Sequence, residues 1–338
     1  MKKLNIVILA AGKGERMLSS EPKVMHEIMG KPLIGHVVER AKELSPSEIV
    51  VVTGFGREKV EAYLDCRNVD VSVQTEQKGT AHALLTAEKF INGGDVLVLY
   101  GDVPLIEGST LKTFLSFYMH FNSITFLTTQ VDNPQGYGRV IMKDDEILDI
   151  VEDADATPEE KLVNEINTGI CIIPEDCFPL LKLIEPNNKK GEYYLTDICK
   201  VAKKKGMSIK GCRHHDSAEV LGINSKKELL DANMTMRNRI LDKHLQRGVT
   251  LIDRNIYIES DVIIGKDTII YPNSYMHGST VIGDNVVIGP NTVIKNSKIN
   301  DNVRIDGFAM IEESEVKENG IIRAFSQIKA GRELKTCD

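Results

Sequence analysis

The run LNIVILAAGKGERMLSSEPK, Leu4 to Lys23, decides how the rest of the chain is read. Its opening, Leu4-Asn5-Ile6-Val7-Ile8-Leu9, is short, apolar and rich in β-branched residues, the composition of a strand buried on both faces of a parallel sheet. It passes into Ala10-Ala11-Gly12-Lys13-Gly14-Glu15-Arg16-Met17. Small residues there let a ligand approach the backbone, and successive N–H groups can form an anion-binding concavity. Lys13, Arg16 and Lys23 bring three cations to the same segment, so the loop suits phosphate. Two common phosphate motifs do not fit. A dinucleotide fingerprint needs a small residue where Met17 stands, and a P-loop needs Ser or Thr after Gly30-Lys31, where the chain has Pro32. Taken alone, Gly12 and Gly14 would serve equally well in a strand–turn–helix junction without a ligand.

Outward from this run, strand and helix patterns alternate. Pro32 to Leu44 has helical apolar spacing, Ile49 to Gly54 reads as a buried strand, Glu58 to Leu64 as a helix and Val69 to Gln74 as a strand. A further strand leads from Asp95 into Tyr100-Gly101-Asp102. The alternation predicts an α/β fold with a doubly wound, mostly parallel sheet, whose ligands sit at the carboxyl ends of the strands. The Gly12 loop, the Gln74 to Ala83 segment and Asp102 all fall at that edge. By residue type alone, Gln74 and Gly79 are surface and turn residues, and Asp102 after Gly101 is a turn residue. A carboxylate at that edge also suits Mg²⁺ carried by substrate phosphates. Gly136-Tyr137-Gly138, Glu152, Glu165-Ile166-Asn167-Thr168-Gly169 and Gly191 to Asp197 are turn and strand-edge chemistry singly. Together they offer the amide, carboxylate, hydroxyl and aromatic groups that bind sugars.

The strings LAAGKGERM with Pro22-Lys23, QKGTAHA (Gln77 to Ala83) and LYGDVPL (Leu99 to Leu105) closely resemble the signatures of the sugar nucleotidyltransferases. Within that family the chain is similar to the uridyltransferase part of the bifunctional N-acetylglucosamine-1-phosphate uridyltransferases/glucosamine-1-phosphate N-acetyltransferases. The resemblance implies the nucleotide-diphospho-sugar transferase fold, with Leu9, Ala10, Ala11 and Gly12 around the nucleoside triphosphate. It implies that Gln74, Gly79 and Thr80 bind the nucleotide base, for which an amide and a backbone N–H are suitable partners. Arg16, Lys23 and Asp102 are implied as catalytic, and Asp102 with Asn224 as the Mg²⁺ site. The implied sugar site is Tyr100, Gly101, Gly138, Glu152, Asn167, Thr168, Tyr194, Thr196 and Asn224. The implied reaction joins UTP and N-acetylglucosamine 1-phosphate into UDP-N-acetylglucosamine and pyrophosphate. Its alternatives are another sugar 1-phosphate or dTTP, a hexapeptide acyltransferase, and a non-catalytic nucleotide-binding oligomer.

The pattern changes after the first 226 residues. Residues 227–250 read as a linker helix with an apolar stripe through Leu229, Leu230, Met234, Ile240, Leu241 and Leu245. From 251 to 331 a six-residue period takes over: Ile258, Ile264, Ile270, Met276, Ile282, Ile288 and Ile294, then a slip of one and Ile299, Ile305 and Ile311. This is the signature of a parallel β-helix, followed by a tail at 332–338. By resemblance it is left-handed and assembles three copies into a homotrimer. The segment is long enough for four or five coils of roughly 18 residues. His277, its candidate acyl-transfer residue, has no partner group nearby in the sequence, so no acetyltransferase activity is expected.

Composition narrows the classes further. The 338 residues are 42% hydrophobic and 27% charged, and the net charge of −7 argues against a nucleic-acid partner. The six cysteines show no CxxC pair or zinc spacing, as expected of free thiols in a reducing compartment. No segment reaches the ~20 apolar residues of a membrane span. Met1-Lys2-Lys3 and the run after it imitate a signal peptide, but Asn5 and the charged loop interrupt the pattern. A cytoplasmic protein is expected.

Overall fold

The computed structural model describes residues 3–329. Among them it separates one unit, running to His26 and from Pro32 to Glu228, from a second that holds Glu27–Lys31 and the chain from Leu229 onward.

The chain begins with β1 (Leu4–Ala10), the two-residue strands β2 (Glu27–Ile28) and β3 (Lys31–Pro32), and α1 (Leu33–Lys42). Then come β4 (Glu48–Thr53), α2 (Arg57–Leu64), β5 (Asp70–Val73), α3 (Thr80–Thr86) and β6 (Asp95–Tyr100). Next are α4 (Gly108–Phe121), β7 (Thr125–Gln130), β8 (Arg139–Lys143), β9 (Glu146–Val151) and β10 (Glu165–Ile173). α5 (Ile198–Lys204), β11 (Lys210–His214) and α6 (Ser217–Val220) close the first unit.

Its nine-stranded sheet has the order β5-β4-β1-β6-β10-β7-β11-β9-β8. The first four strands are mutually parallel. Alternation along β1 covers both faces of the sheet: Ile6 and Ile8 pack with Ile34, Val37 and Val38 of α1, while Val7 and Leu9 pack with Ala81 and Leu84 of α3. Because β1, β4 and β6 are parallel, the loops after Ala10, Thr53 and Tyr100 open along one edge. Beyond β6 the sheet is mixed, with β10 antiparallel to both β6 and β7. β7 and β11 are not marked in the sequence as the parallel strands are. β7 buries Phe126 and Leu127 together with Thr125, Thr128 and Thr129, whose hydroxyls are satisfied by Ser123 O, Glu165 Oε1 and His214 O, so only two of its buried positions are marked by hydrophobicity.

The second unit contains most of α7 (Lys226–Gln246) and three parallel ladders of short strands. The expected stripe on α7 is corrected. Leu230, Met234 and Leu245 are exposed, while Ala232, Met236, Ile240, Leu241 and His244 are buried. The packed face follows i, i+4 spacing through Ala232, Met236, Ile240 and His244 and admits a small residue and a histidine that an apolar count passes over. Burial, with Lys243 and Arg247 nearby, pushes the His244 imidazole down to about 4. Glu27–Lys31 joins this unit through hydrogen bonds from Met29 N to Asn233 Oδ1 (3.0 Å), Lys31 Nζ to Asp261 Oδ1 (2.6 Å) and Ser260 N to Met29 O (3.0 Å).

The ladders form a parallel β-helix of the left-handed hexapeptide class. Every residue of the period from Ile258 to Ile311 points inward, none more than 6% exposed. Met276 pairs with Ile294 one coil of 18 residues on, and Ile294 with Ile311 after 17, so the slip is a shortened corner. A second shortening follows Ile311, where the inward position passes to Val316. Asn273, Asn285, Asn291, Asn302 and Asn319 sit in the left-handed backbone region, which asparagine tolerates better than most side chains. The stacking also supplies His277 with the partner that the sequence lacks. Glu259, one coil earlier, sets Oε1 3.0 Å from His277 Nδ1 and accepts the Gly278 N–H with Oε2. The expected β-helix end at 331 and the tail at 332–338 lie outside the described residues.

Candidate active site

Two adjoining cavities open at the carboxyl edge of the parallel strands. The first, of about 320 Å³, is lined by Leu9, Ala10, Ala11, Gly12, Gly14, Lys23, Gln74, Gln77, Gly79, Thr80, Tyr100, Asp102 and Glu192. The second, of about 240 Å³, is lined by Gly136, Tyr137, Gly138, Glu152, Asn167, Thr168, Gly169, Tyr194 and Thr196. Both are also walled by Thr80, Tyr100 and Glu192, so they form one bipartite cleft.

In the first cavity Gln74 is buried, with Nε2 donating to Gly79 O (3.1 Å) and lying 3.0 Å from His82 Nδ1. Its amide is locked, not free at the surface as its residue type alone would allow. Gly79 has φ +109°, and a Cβ there would stand 2.5 Å from Tyr193 O, so only glycine fits. Tyr193 N donates to Lys78 O and Ala81 N to Tyr193 O, stitching this segment to the Glu192 string. Gln77 Nε2 donates to Ala11 O at 2.7 Å and fastens the glycine-rich loop.

Lys23 lies at the floor of this cavity. Its ammonium pairs with Asp102 Oδ2 and donates to Asn224 Oδ1 at 2.7 Å. Asn224 is oriented by its own Nδ2, which donates to Gly222 O at 2.8 Å. Two oxygen donors converging on one cationic group are donors of the kind that a hard divalent cation also takes. Among the described residues there is no cluster of three His, Cys, Asp or Glu able to hold a metal, so such an ion would complete its shell with substrate or water oxygens.

In the second cavity Glu152 Oε1 accepts the Thr196 hydroxyl (2.9 Å), Asn167 Oδ1 accepts Gly169 N–H (3.0 Å), and the Thr168 hydroxyl donates to Leu127 O (2.7 Å). Burial pushes the Tyr100 phenol far up, so it remains a neutral hydroxyl. Tyr194 is pushed up to about 12, first by burial and then by carboxylates led by Glu192. Burial likewise raises the Glu152 carboxyl, opposed by the Thr196 hydrogen bond and Lys190. The folded protein therefore holds this proton more tightly than the unfolded chain. Stability from this group is full below the ordinary value of 4.5 and is lost as pH rises through the raised one. Glu152→Gln is accordingly expected to melt higher than the parent protein by a margin that widens from pH 4.5 to pH 7. A margin that stays flat in thermal scans across that range would contradict the assignment.

Most of the expected site residues line this cleft, and three do not. Gly101 does not line it. It is buried, its N–H donates to Leu9 O, and a Cβ there would stand 2.8 Å from Ile34 Cδ1, so its smallness serves packing. Arg16 is exposed and lines neither cavity; its charge is felt at Tyr137. Asn224 reaches the cleft through Lys23 and does not line either cavity. Gln77 and Glu192 also line the cleft, within the strings QKGTAHA and Gly191 to Asp197. Nothing in the sequence places Glu192 against residues more than a hundred positions earlier.

The family model for the MobA-like NTP transferase domain matches residues 6–181, more than half of the chain. The chain belongs to this family. The MobA-like domain thus covers both halves of the cleft except for the Glu192 string, and the bacterial transferase hexapeptide (six repeats) model matches 261–296 in the β-helix. Among curated proteins the chain is 43% identical over 267 residues to one named bifunctional protein GlmU from Clostridioides difficile (strain 630), covering 78% of this chain and 58% of that protein. It is also 43% identical over 275 residues to a protein of the same name from Caldanaerobacter subterraneus subsp. tengcongensis, covering 79% and 59%. The chain thus spans under two thirds of the length of these relatives. Among solved structures, a UDP-glucose pyrophosphorylase complexed with UDP-glucose superposes with a TM-score of 0.57 at 24% identity, over 71% of this chain and all of that one. At that identity the likeness supports the fold of the MobA-like unit alone.

Proposed function

We propose that this chain transfers the uridylyl group of UTP to N-acetylglucosamine 1-phosphate, forming UDP-N-acetylglucosamine and releasing pyrophosphate. The observation that carries the reading is the bipartite cleft, in which the glycine-rich loop and Lys23–Asp102–Asn224 adjoin a polar pocket of sugar-binding size. A nucleotide occupies the first cavity, its base at Gln74, Gly79 and Thr80 and its phosphates along Leu9 to Gly14. The sugar occupies the second, where Glu152, Asn167, Thr168, Tyr194 and Thr196 face its hydroxyl and acetamido groups and Gly138 leaves room for the ring.

The acceptor is a phosphate oxygen that is already anionic at neutral pH, so the protein needs no nucleophile of its own. That oxygen attacks the α-phosphorus as the bond to the β-phosphate breaks and pyrophosphate departs. The work left to the chain is alignment of the two substrates and neutralisation of charge. Lys23 supplies one positive charge at the floor. Arg16, on the exposed loop, reaches the pyrophosphate side only if the loop closes over the nucleotide. Mg²⁺ held by Asp102 and Asn224 would draw charge from the phosphates when bound. The hexapeptide helix is assigned the joining of three copies, as its class implies. Among the described residues no helix is long and apolar enough to cross a membrane.

The test is pyrophosphate release with Mg²⁺, crossing UTP and dTTP with N-acetylglucosamine 1-phosphate and glucose 1-phosphate. Turnover is expected to be fastest for UTP with the acetamido sugar. A preference for another pair would overturn the specificity, and absence of release from a folded protein that binds UTP would overturn the reaction.

A further inference from the structure

We infer that Lys23 is an internal counter-ion that occupies the divalent-cation position in the nucleotide-free protein and must leave it before a metal enters. This rests on the reading of Asp102 and Asn224 as the cation-binding pair. The ammonium bridges both oxygen donors, pairing with Asp102 Oδ2 and lying 2.7 Å from Asn224 Oδ1. Both side chains are largely shielded from water, at 12% exposure for Lys23 and 19% for Asp102, so their attraction is screened less than that of a surface pair.

The acceptors sit on anchored backbone, and the lysine ammonium ends a long stem. Asn224 is held at both ends, by Nδ2 to Gly222 O and by its backbone N–H to Glu228 Oε2. Asp102 is anchored by its carbonyl, which accepts Ile223 N–H at 2.9 Å. Lys23 hangs on a flexible four-carbon stem. That stem runs directly beneath Gly14, where an added Cβ would lie 2.6 Å from Lys23 Cβ, so the ammonium swings along the underside of the glycine-rich loop. A dication cannot share the point between the two oxygens with an ammonium. Metal entry therefore turns Lys23 out toward the loop, where the phosphates of a nucleotide would receive it. One lysine then has two stations: it keeps Asp102 and Asn224 in place without metal, and it becomes a phosphate ligand once metal and nucleotide are present. It follows that metal binds weakly to the free protein and is drawn in by nucleotide.

The experiment is Mn²⁺ binding to the full, nucleotide-free chain, followed by electron paramagnetic resonance, with circular dichroism as the check on folding. Lys23→Met is expected to bind Mn²⁺ at least about tenfold more tightly than the parent, the factor for a competent state that is a ~10% minority before substitution. Asp102→Ala should abolish the binding in both backgrounds. Equal or weaker binding by folded Lys23→Met, or no binding by either protein, overturns the inference. A second measurement needs no substitution at Lys23. In the ¹³C-lysine-labelled parent chain, the Lys23 Cε signal should shift saturably with Mg²⁺, and metal binding that leaves it unmoved also overturns the inference. Both readouts are independent of turnover, so they remain valid if the proposed reaction fails.

Discussion

Asp102→Ala is expected to lower kcat/KM for pyrophosphate release from UTP and N-acetylglucosamine 1-phosphate by on the order of a thousandfold, while the melting temperature stays close to the parent's. The size follows from what the carboxylate does at the cleft floor. It is the charged member of the pair proposed to hold the cation, and charge neutralisation on transferring phosphates supplies several kcal/mol. It also positions the Lys23 ammonium, so its removal disturbs both sources of positive charge at once. The fold should not suffer comparably. Asp102 is partly exposed, the Ile223 N–H bonds to its backbone carbonyl, and alanine retains that carbonyl. Single-turnover and steady-state kinetics with a thermal melt decide the matter. Activity within tenfold of the parent would remove Asp102 from the site.

The largest effect on stability is expected in the β-helix, from Ile288→Asp. Ile288 is completely buried and stacks between Ile270 of the coil before and Ile305 of the coil after. In a stacked repeat each coil is stabilised mainly by its neighbours, so one faulty rung weakens two interfaces. A carboxylate there loses the apolar contacts and is buried without a partner, which places the cost above about 4 kcal/mol. Ile288→Val, which removes one methylene, should cost only about 1 kcal/mol. Calorimetry on the two variants should show loss of the β-helix transition for the aspartate and a small shift for the valine. An aspartate variant that melts like the parent would mean that position 288 is not in a packed interior.

The two halves of the chain were unequally legible. The β-helix declares itself because a six-residue period repeats one physical demand, an apolar side chain at each inward corner, and even the one-residue slip at Ile294 could be read. The parallel strands around the glycine-rich loop were legible because burial on both faces forces continuous apolar runs. β7 was not, because three of its six residues are buried threonines, and two of them are satisfied by partners distant in sequence, Glu165 and His214. The face of α7 was misjudged for a related reason: Ala232 and His244 are packed there although neither is strongly apolar. In the cleft, Gln74, Glu152, Asn167 and Asp102 stand out in the sequence only through resemblance to a family, since as isolated residue types they are indistinguishable from turn chemistry. Gly101 was carried along with its string, and the structure shows it serving the packing against Ile34.

The sequence by itself determined the local and periodic features: strand and helix order, the small-residue loop and its charge, and the rungs of the β-helix. These depend on neighbours within a few positions, where spacing and side-chain type suffice. Tertiary structure alone decided that Lys23 sits between Asp102 and Asn224, that Glu192 walls both cavities, and that Glu259 partners His277. Each of these joins residues brought together by sheet order or coil stacking, and no local pattern encodes a contact whose two ends meet only when the chain closes on itself.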